Sequence, residues 1–594
     1  MLLDTDDRPE IVETDVDDTG ATHHWRGDLL LLLGYILVSV WFWRRLVPHL
    51  ATHALGAGTL DPGLFIWFLN WTPYALTHGL DPFRTTYLDA PIGISTMWNT
   101  SVISLGVLFA PVTLAFGPIA SFNLACILGP PLSAWTASFW LRRYVGRVPA
   151  ALGGLLFGFS PFVLAQSRAG HLMFTWLVLV PVILMLAEDL LWRAPNPRWP
   201  QAPLLGVVIA VQLLISSETL LIVTMLCVGV AVALAVRHPR AARERLRVLV
   251  PAGALTLGVS IALCAWPLFE IFGSGHEIKQ PVQRLGALGG SASMLIGASP
   301  SLLFHTGNGP RSHLSTVENG LYIGWPLLAL LVVATVVLVR RSGVLIAATA
   351  VIVAIALQMY GSHWHLGGLK VRSPLGFLQD RIALTRDILP GRFAIAMWIA
   401  IAWLFAVALD FAMKRAHGNW RTVSVVVAVA CLIPLIPAKQ EPTNAPGPVP
   451  ALFATSLRNT IPKGATVMLA PMASVGYNAA EWWQIKAKMR FKQVGGYALH
   501  AFGPKGSPSY YPYPKMLRRL FMINFFTGQP FAGKVTPAVL ATARRELRET
   551  HASLFMVAPS PTGTARHLEL AEQLLKRPPD RKVGGVAIWD LPAS

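Results

Sequence analysis

The sequence predicts a mainly α, polytopic helical membrane protein with about eleven spanning helices, further interfacial helices, and a small C-terminal α/β domain outside the membrane. Three observations carry this. Of the 594 residues, 54% are hydrophobic and only 13% charged, and the mean hydropathy is +0.52. A soluble core cannot hide that much apolar surface, because the buried fraction is capped by surface-to-volume scaling. Apolar windows such as LLLLLGYILVSVWFW (29–43) approach the ~20 residues needed to cross ~30 Å of hydrocarbon. Finally, the composition changes near residue 438 to a Pro-rich linker followed by alternating short strand and helix patterns.

The first 27 residues, beginning MLLDTDDRPEIVETDVDDTG, are acidic and polar. They predict a disordered cytoplasmic tail rather than a signal peptide. A first span follows at about 29–47. Further spans are expected near 120–141, 148–166, 172–191, 203–217, 218–236, 248–270, 320–339, 344–360, 394–413 and 421–437. Basic loops separate them: RRYVGR (142–147), WRAPNPRW (192–199), RHPRAARERLR (237–247), RRSG (340–343) and KRAHGNWR (414–421). Placing all five in the cytoplasm satisfies the positive-inside rule and accounts for much of the net charge of +19. A nucleic-acid partner is therefore not expected.

The same charge parity keeps residues 62–78 and 98–117 from crossing, although both are apolar. They are expected to lie in the outer leaflet, within a first outer loop spanning 48–119. The membrane domain then covers 28–437, the linker 438–450 and the outer α/β domain 451–594. In that domain TVMLAPMA, ASLFMVAP and GGVAIWDLP predict strands, while PAVLATARRELRETH and ARHLELAEQLLKR predict amphipathic helices. The four cysteines (126, 227, 264 and 431) sit in apolar runs without metal-ligand spacing.

Ionisable groups near hydrocarbon are costly, so each is a site hypothesis. Asp61 opens the Trp-rich segment DPGLFIWFLNW, with Trp67 and Trp71 expected at the outer interface. Asp61 and Asp81 both precede Pro, a pattern that also suits helix capping; a capping Asp61 can still face a cavity. Arg168 and His171 share the apolar turn QSRAGH, where a guanidinium can bind phosphate oxygens bidentately. Glu218, with Ser216 and Ser217, is the only polar break in VQLLISSETLLIV; either serine could cap the next helix, and Glu218 could act as acid, base or metal ligand. Arg392 precedes a helix at the same face. His363 and His365 lack the i, i+4 spacing of a zincin site, and no P-loop, GxSxG or GxGxxG occurs.

This order of features resembles the GT-C superfamily of polyprenyl-phosphate-dependent membrane glycosyltransferases. The likeness lies in the cytoplasmic start, the single crossing, the first outer loop with an early Asp (TLDPGLFIWFLNW), the second outer turn (QSRAGH) and the outer C-terminal domain. Runs such as SPFVLAQSRAGHL, QLLISSETL and MRFKQVGGYA are similar to those of a group of bacterial multipass proteins called glycosyltransferases. The resemblance implies a sugar donor linked to polyprenyl phosphate and an envelope glycan, lipid or protein as acceptor, at the outer face of the plasma membrane. It implies Asp61 as the first-loop acid; His171 stands where some members carry a second-loop acid, which leaves a divalent cation open and no metal ligand assigned. Asp61 and Glu218 are then the candidate catalytic carboxylates, and Arg168, His171 and Arg392 the phosphate-binding groups. Trp67, Trp482 and Tyr497 are candidate glycan contacts. A lipid or glycan flippase and a non-catalytic assembly protein are the competing readings. The first predicts inverted repeats and broken midplane helices; the second predicts a binding surface on 481–502.

Overall fold

The computed structural model describes residues 24–592 except 57–60, 194–199, 284–292, 299–301, 306–319, 340–352, 355–356, 367–368, 383–384, 439–442, 445–446, 475–476, 504, 511–513 and 525–526. The expected tail, most of the span at 344–360 and the HTGNGPRSH loop therefore lie largely outside the described residues. In chain order the helices used below are α1 (His24–Phe42), α2 (Asp61–Thr77), α3 (Ile103–Leu108), α4 (Ala110–Phe116), α5 (Pro118–Leu141), α6 (Arg147–Gly158) and α7 (Pro161–Ala169). They continue with α8 (Leu179–Glu188), α9 (Gln201–Leu213), α10 (Ser217–Arg237), α11 (Pro239–Leu263), α12 (Trp325–Val339), α13 (Ala394–Arg415) and α14 (Trp420–Ala430). In the C-terminal region are α15 (Ala479–Lys486), α16 (Pro537–Glu549) and α17 (Thr564–Leu575). Among the described residues, six helical segments are long and apolar enough to cross a membrane, and α9, α12 and the segment beginning with α14 are shorter apolar helices. The chain is a mainly helical membrane protein with a small sheet region at its C-terminal end.

The chain divides into two compact units. The helical unit comprises residues 1–49, 123–265 and 283–442; the second comprises 50–122, 266–282 and 443–594. The boundary at 442/443 lies within the expected linker 438–450, while the first outer loop groups with the C-terminal domain rather than with the spanning helices.

In the helical unit, close approach is set by small residues. A Cβ on Gly154 would lie 2.5 Å from the Ala134 carbonyl oxygen, and one on Gly158 would lie 2.4 Å from that of Pro130. These glycines, one turn apart on α6, let it press against α5, the small-residue packing that membrane helices use where no hydrophobic force drives association. Between α9 and α11 a ladder of short polar side chains does the same work: Thr256 Oγ1 donates to the Ala202 carbonyl (2.9 Å), and Ser260 Oγ to that of Gly206 (3.0 Å). Helix starts follow their sequence signals. Ser160, before Pro161, accepts the Val163 amide, and Ser216 accepts that of Thr219 at 3.1 Å, which satisfies otherwise orphaned N–H groups.

In the second unit a five-stranded sheet runs in the order β4-β5-β3-β1-β2, where β1 is Ala465–Ala470, β2 Phe491–Gln493, β3 Leu554–Val557, β4 Arg581–Val583 and β5 Val586–Asp590. β1 is parallel to both β2 and β3, and β5 is antiparallel to β3 and β4. All three expected strands and both expected amphipathic helices form. Their apolar faces meet in one core that includes Met468, Phe521, Leu547, Phe555, Leu570 and Trp589.

The segment 98–117 does not form one long helix. It breaks at Phe109 into α3 and α4, six and seven residues long, too short to span hydrocarbon. Asp81 was expected to begin a helix, but it closes a turn instead. Its Oδ1 accepts the Phe83 amide at 2.8 Å and its Oδ2 the Trp266 indole N–H at 2.9 Å, because a short Asp side chain reaches backbone two residues on.

Candidate functional site

Asp61 is the first residue of α2, as its Asp-Pro start predicted, and its placement is fixed from the far end of the sequence. Its Oδ1 accepts a hydrogen bond from the Tyr497 hydroxyl at 2.6 Å. Tyr497 arrives through the VGGY turn. Gly495 is left-handed (φ +114°), and a Cβ on Gly496 would press to 3.1 Å from Leu88 Cβ, so the two glycines allow a reversal flat against the outer loop. The turn is stitched down by the Asp89 amide on the Gly495 carbonyl (3.1 Å) and the Ala90 amide on that of Gln493 (3.0 Å).

Further along, Asn99 brackets Leu499, giving its Nδ2 to the carbonyl at 2.8 Å and taking the amide at 2.5 Å. Gln484 of α15 is the other hub. Its Oε1 accepts the Trp67 indole N–H at 2.8 Å, while its Nε2 donates to the Tyr87 and Phe491 carbonyls at 2.9 and 2.8 Å.

Behind this face is a buried carboxyl that sequence reasoning missed, since no local pattern marks it. Glu481 is 1% exposed and accepts the Tyr497 backbone N–H. Burial pushes its carboxyl up to about 8, opposed by that amide and reinforced by the charge of Asp89. Burial, then the Asp61 charge, holds the Tyr497 hydroxyl far above the ordinary phenol range. The phenol is therefore the donor and the Asp61 carboxyl the acceptor. Asp89 is 5% exposed, and its Oδ2 lies 3.3 Å from His500 Nδ1.

The three side chains expected to meet a glycan are corrected by their burial. Trp67 is 0% exposed, Trp482 6% and Tyr497 7%. Trp67 stacks on Trp71 at 5.5 Å inside a core with Phe68, Leu88 and Met489, and Trp482 carries Lys486 over its ring. Trp67 and Trp71 are thus packed against protein instead of anchoring the segment in a lipid interface. An indole buried with its N–H satisfied offers no face to a sugar.

In the helical unit, Glu218 and Arg392 come together. Glu218 Oε2 pairs with the guanidinium, and Oε1 accepts the Leu389 amide at 3.1 Å. The Arg392 guanidinium also lies over the Phe174 ring, 4.5 Å from its centroid, and the His171 ring meets the same Phe174 edge-on at 6.5 Å. His171 is held by Gln166, Nδ1 to Oε1 at 2.6 Å. Arg168, in the last turn of α7, has no ion pair among the described residues. Sequence reasoning passed over Glu188 in this unit. It is 4% exposed and gathers Trp140 (2.7 Å), Tyr144, Arg143 (3.7 Å) and Arg193 (3.4 Å); its signal was the Glu-Asp pair between two basic loops. Among the described residues no group of three or more His, Cys, Asp or Glu side chains is placed to hold a metal ion.

No family model matches the chain, and no curated protein does. Solved structures do. The archaeal oligosaccharyltransferase AglB from Archaeoglobus fulgidus, in complex with an inhibitory peptide and a dolichol-phosphate, is 11% identical over 91% of this chain and 70% of its own, with a TM-score of 0.43. ArnT from Cupriavidus metallidurans bound to undecaprenyl phosphate is 16% identical over 70% of each chain, TM-score 0.38. The arabinofuranosyltransferase AftD from Mycobacteria is 13% identical over 96% of this chain, TM-score 0.47, and this chain spans 40% of its length. This chain likewise spans 65% of the Archaeoglobus fulgidus oligosaccharyltransferase in its apo form. At these identities and TM-scores, the likeness assigns this chain neither an activity nor a residue role.

Proposed function

We propose that this protein is a membrane glycosyltransferase that moves a sugar from a polyprenyl-phosphate donor to an envelope glycan, lipid or protein at the outer face of a bacterial plasma membrane. The observation that carries the reading is the Asp61 carboxyl at the head of α2, which accepts a hydrogen bond from a buried phenol 2.6 Å away. A carboxylate kept charged by a neutral donor can accept a proton from an incoming hydroxyl. As the acceptor oxygen bonds to the anomeric carbon, the bond from that carbon to the phosphate oxygen breaks, Asp61 takes the hydroxyl proton, and polyprenyl phosphate leaves as the anion.

Arg168 is the group proposed to hold a lipid phosphate, since a guanidinium matches phosphate oxygens in a fork. His171 is proposed to assist it. Arg392, which pairs with Glu218, is proposed as a further phosphate-binding group, and Glu218 as a second candidate carboxylate. Basic loops on one side of the spans support a cytoplasmic N-terminus and an outer C-terminal domain.

The test supplies the purified protein with polyprenyl-phosphate sugars and measures released polyprenyl phosphate. Wild type should turn over, and Asp61→Asn should lose about 10²–10⁴-fold in rate. Arg168→Gln should chiefly raise the donor KM. Absence of released polyprenyl phosphate with every donor overturns the reading, and full activity in Asp61→Asn overturns the role of Asp61 as base.

A further inference from the structure

The run MRFKQVGGYA has no part in the proposed chemistry so far, yet its turn ends at Asp61. We propose that Tyr497 is a positioning residue for Asp61: the VGGY turn exists to deliver a phenol that keeps this carboxylate oriented and ionised. The inference rests on the reading of Asp61 as the acceptor's base.

Four observations carry it. The hydroxyl-to-carboxylate contact is 2.6 Å and joins residues 436 apart in sequence, so no local preference produces it. The backbone of the turn is fastened independently, by the Tyr497 amide on Glu481 and the Gly495 carbonyl under the Asp89 amide. The ring is 7% exposed, lies in the hydrophobic cluster that contains Leu64, Trp67 and Trp71, and has the Tyr510 ring 6.2 Å away, which leaves it little freedom to swing away. Lastly, a buried phenol needs an acceptor, and a backbone carbonyl would meet that need at lower cost than a charge. Using a carboxylate instead makes sense where the carboxylate's own state matters, because a donor to the ionised form favours that form.

The titratable groups around the phenol are Asp61, Tyr510 and Glu481. Asp89 acts on Glu481, and His500 faces Asp89. With burial keeping the phenol protonated, the hydrogen bond keeps one direction across the working pH range.

Tyr497→Phe retains the ring and removes the donor. The expected result is about a tenfold lower kcat/KM on the acid limb of the pH profile, one pH unit's worth of differential interaction. The acid limb of the pH profile should move about one unit upward, so the deficit shrinks under alkaline conditions, while the lipid-donor KM stays unchanged. 3,5-Difluorotyrosine at 497, a stronger donor of the same shape, should move the limb downward and serves if the phenylalanine variant does not fold. A second readout needs no turnover. Carbodiimide labels protonated carboxyls, and the pH of half-labelling at Asp61, followed by peptide mass spectrometry on the full chain, should rise by about one unit in Tyr497→Phe. An unchanged half-labelling pH overturns the proposal whether or not the enzyme is active. Full activity in Asp61→Asn with a shifted half-labelling pH would instead leave the positioning intact and overturn only the role of Asp61 as base.

Discussion

The two units hold their buried carboxylates by different means. In the helical unit, Glu188 meets Arg143 and Arg193 at 3.7 and 3.4 Å, Glu218 meets Arg392, and Asp28 meets Arg142 at 2.5 Å. In the second unit, Glu481 accepts an amide, Glu546 accepts the Met516 and Leu517 amides at 2.8 and 3.0 Å, and Asp61 accepts a phenol. Arginine pairs of that unit lie nearer solvent: the side chains are 39% and 33% exposed in Arg577–Asp580, and 27% and 53% in Arg566–Glu569. A carboxylate among apolar helices is costly unless a cation neutralises it. Held by neutral donors, a carboxyl keeps its capacity to gain or lose a proton. On the proposed reading, proton transfer falls to a carboxyl held by a neutral donor in the second unit, while the charge pairs of the first neutralise one another.

The largest effect should come from breaking a pair. Arg392→Met strands Glu218, whose side chain is 17% exposed, and should cost about 2–4 kcal/mol of stability. The double variant Glu218→Gln/Arg392→Met should recover most of it, since both charges leave together. Thermal unfolding in detergent measures the cycle. If the double variant is as unstable as the single, the pair is more than mutual neutralisation and the contrast between the units fails there.

A pH-dependent effect, of opposite sign at two sites, tests the second unit. Glu481 titrates at about 8 when folded, against 4.5 as a free carboxyl. The folded state then binds the proton more tightly, so its contribution is full below about pH 4.5 and is lost as pH rises towards about 8, at a limiting slope of ~1.4 kcal/mol per pH unit. His567 is the reverse case. It is fully buried beside Phe521, and burial pulls its imidazole from 6.5 down to about 4. Its contribution is full above about pH 6.5 and is lost as pH falls towards about 4. Glu481→Gln should flatten the alkaline fall and His567→Phe the acid fall, as read by hydrogen exchange in α15 and α17 across pH. A Glu481→Gln variant with the wild-type pH dependence would show that its proton is not linked to folding.

What the sequence disclosed, and what it withheld, follows from range. The Asp-Pro start of α2, the Ser216 cap and the strands of the outer domain are local signals, and each appears where it was read. Asp61–Tyr497 and Glu218–Arg392 join residues 436 and 174 apart, which no local pattern reports. Trp67 and Trp71 misled for another reason: aromatic residues in an outer loop suit a lipid interface and a protein core equally, and only the docking of α15 decides between them. Tyr497 was noticed as an exposed sugar platform, yet its glycine pair was the better clue, because a GG turn specifies where the next side chain goes.

The smallest expected effect compares caps, which both units use in the same form but in different surroundings. Ser216 is 1% exposed and accepts the Thr219 amide at 3.1 Å. Thr536, at the exposed start of α16, accepts the Val539 amide at 3.4 Å. When a cap is deleted, its cost depends on what replaces it. Water can reach the freed amide of α16, so Thr536→Ala should cost about 0.5 kcal/mol, the low end for caps. The freed amide at the head of α10 is closed off from solvent, so Ser216→Ala should cost about 1.5–2 kcal/mol. Urea or thermal unfolding of the two variants, followed with probes in each unit, gives the ratio. Equal costs would mean that water reaches the head of α10, and the helical unit would then have an aqueous opening beside Glu218.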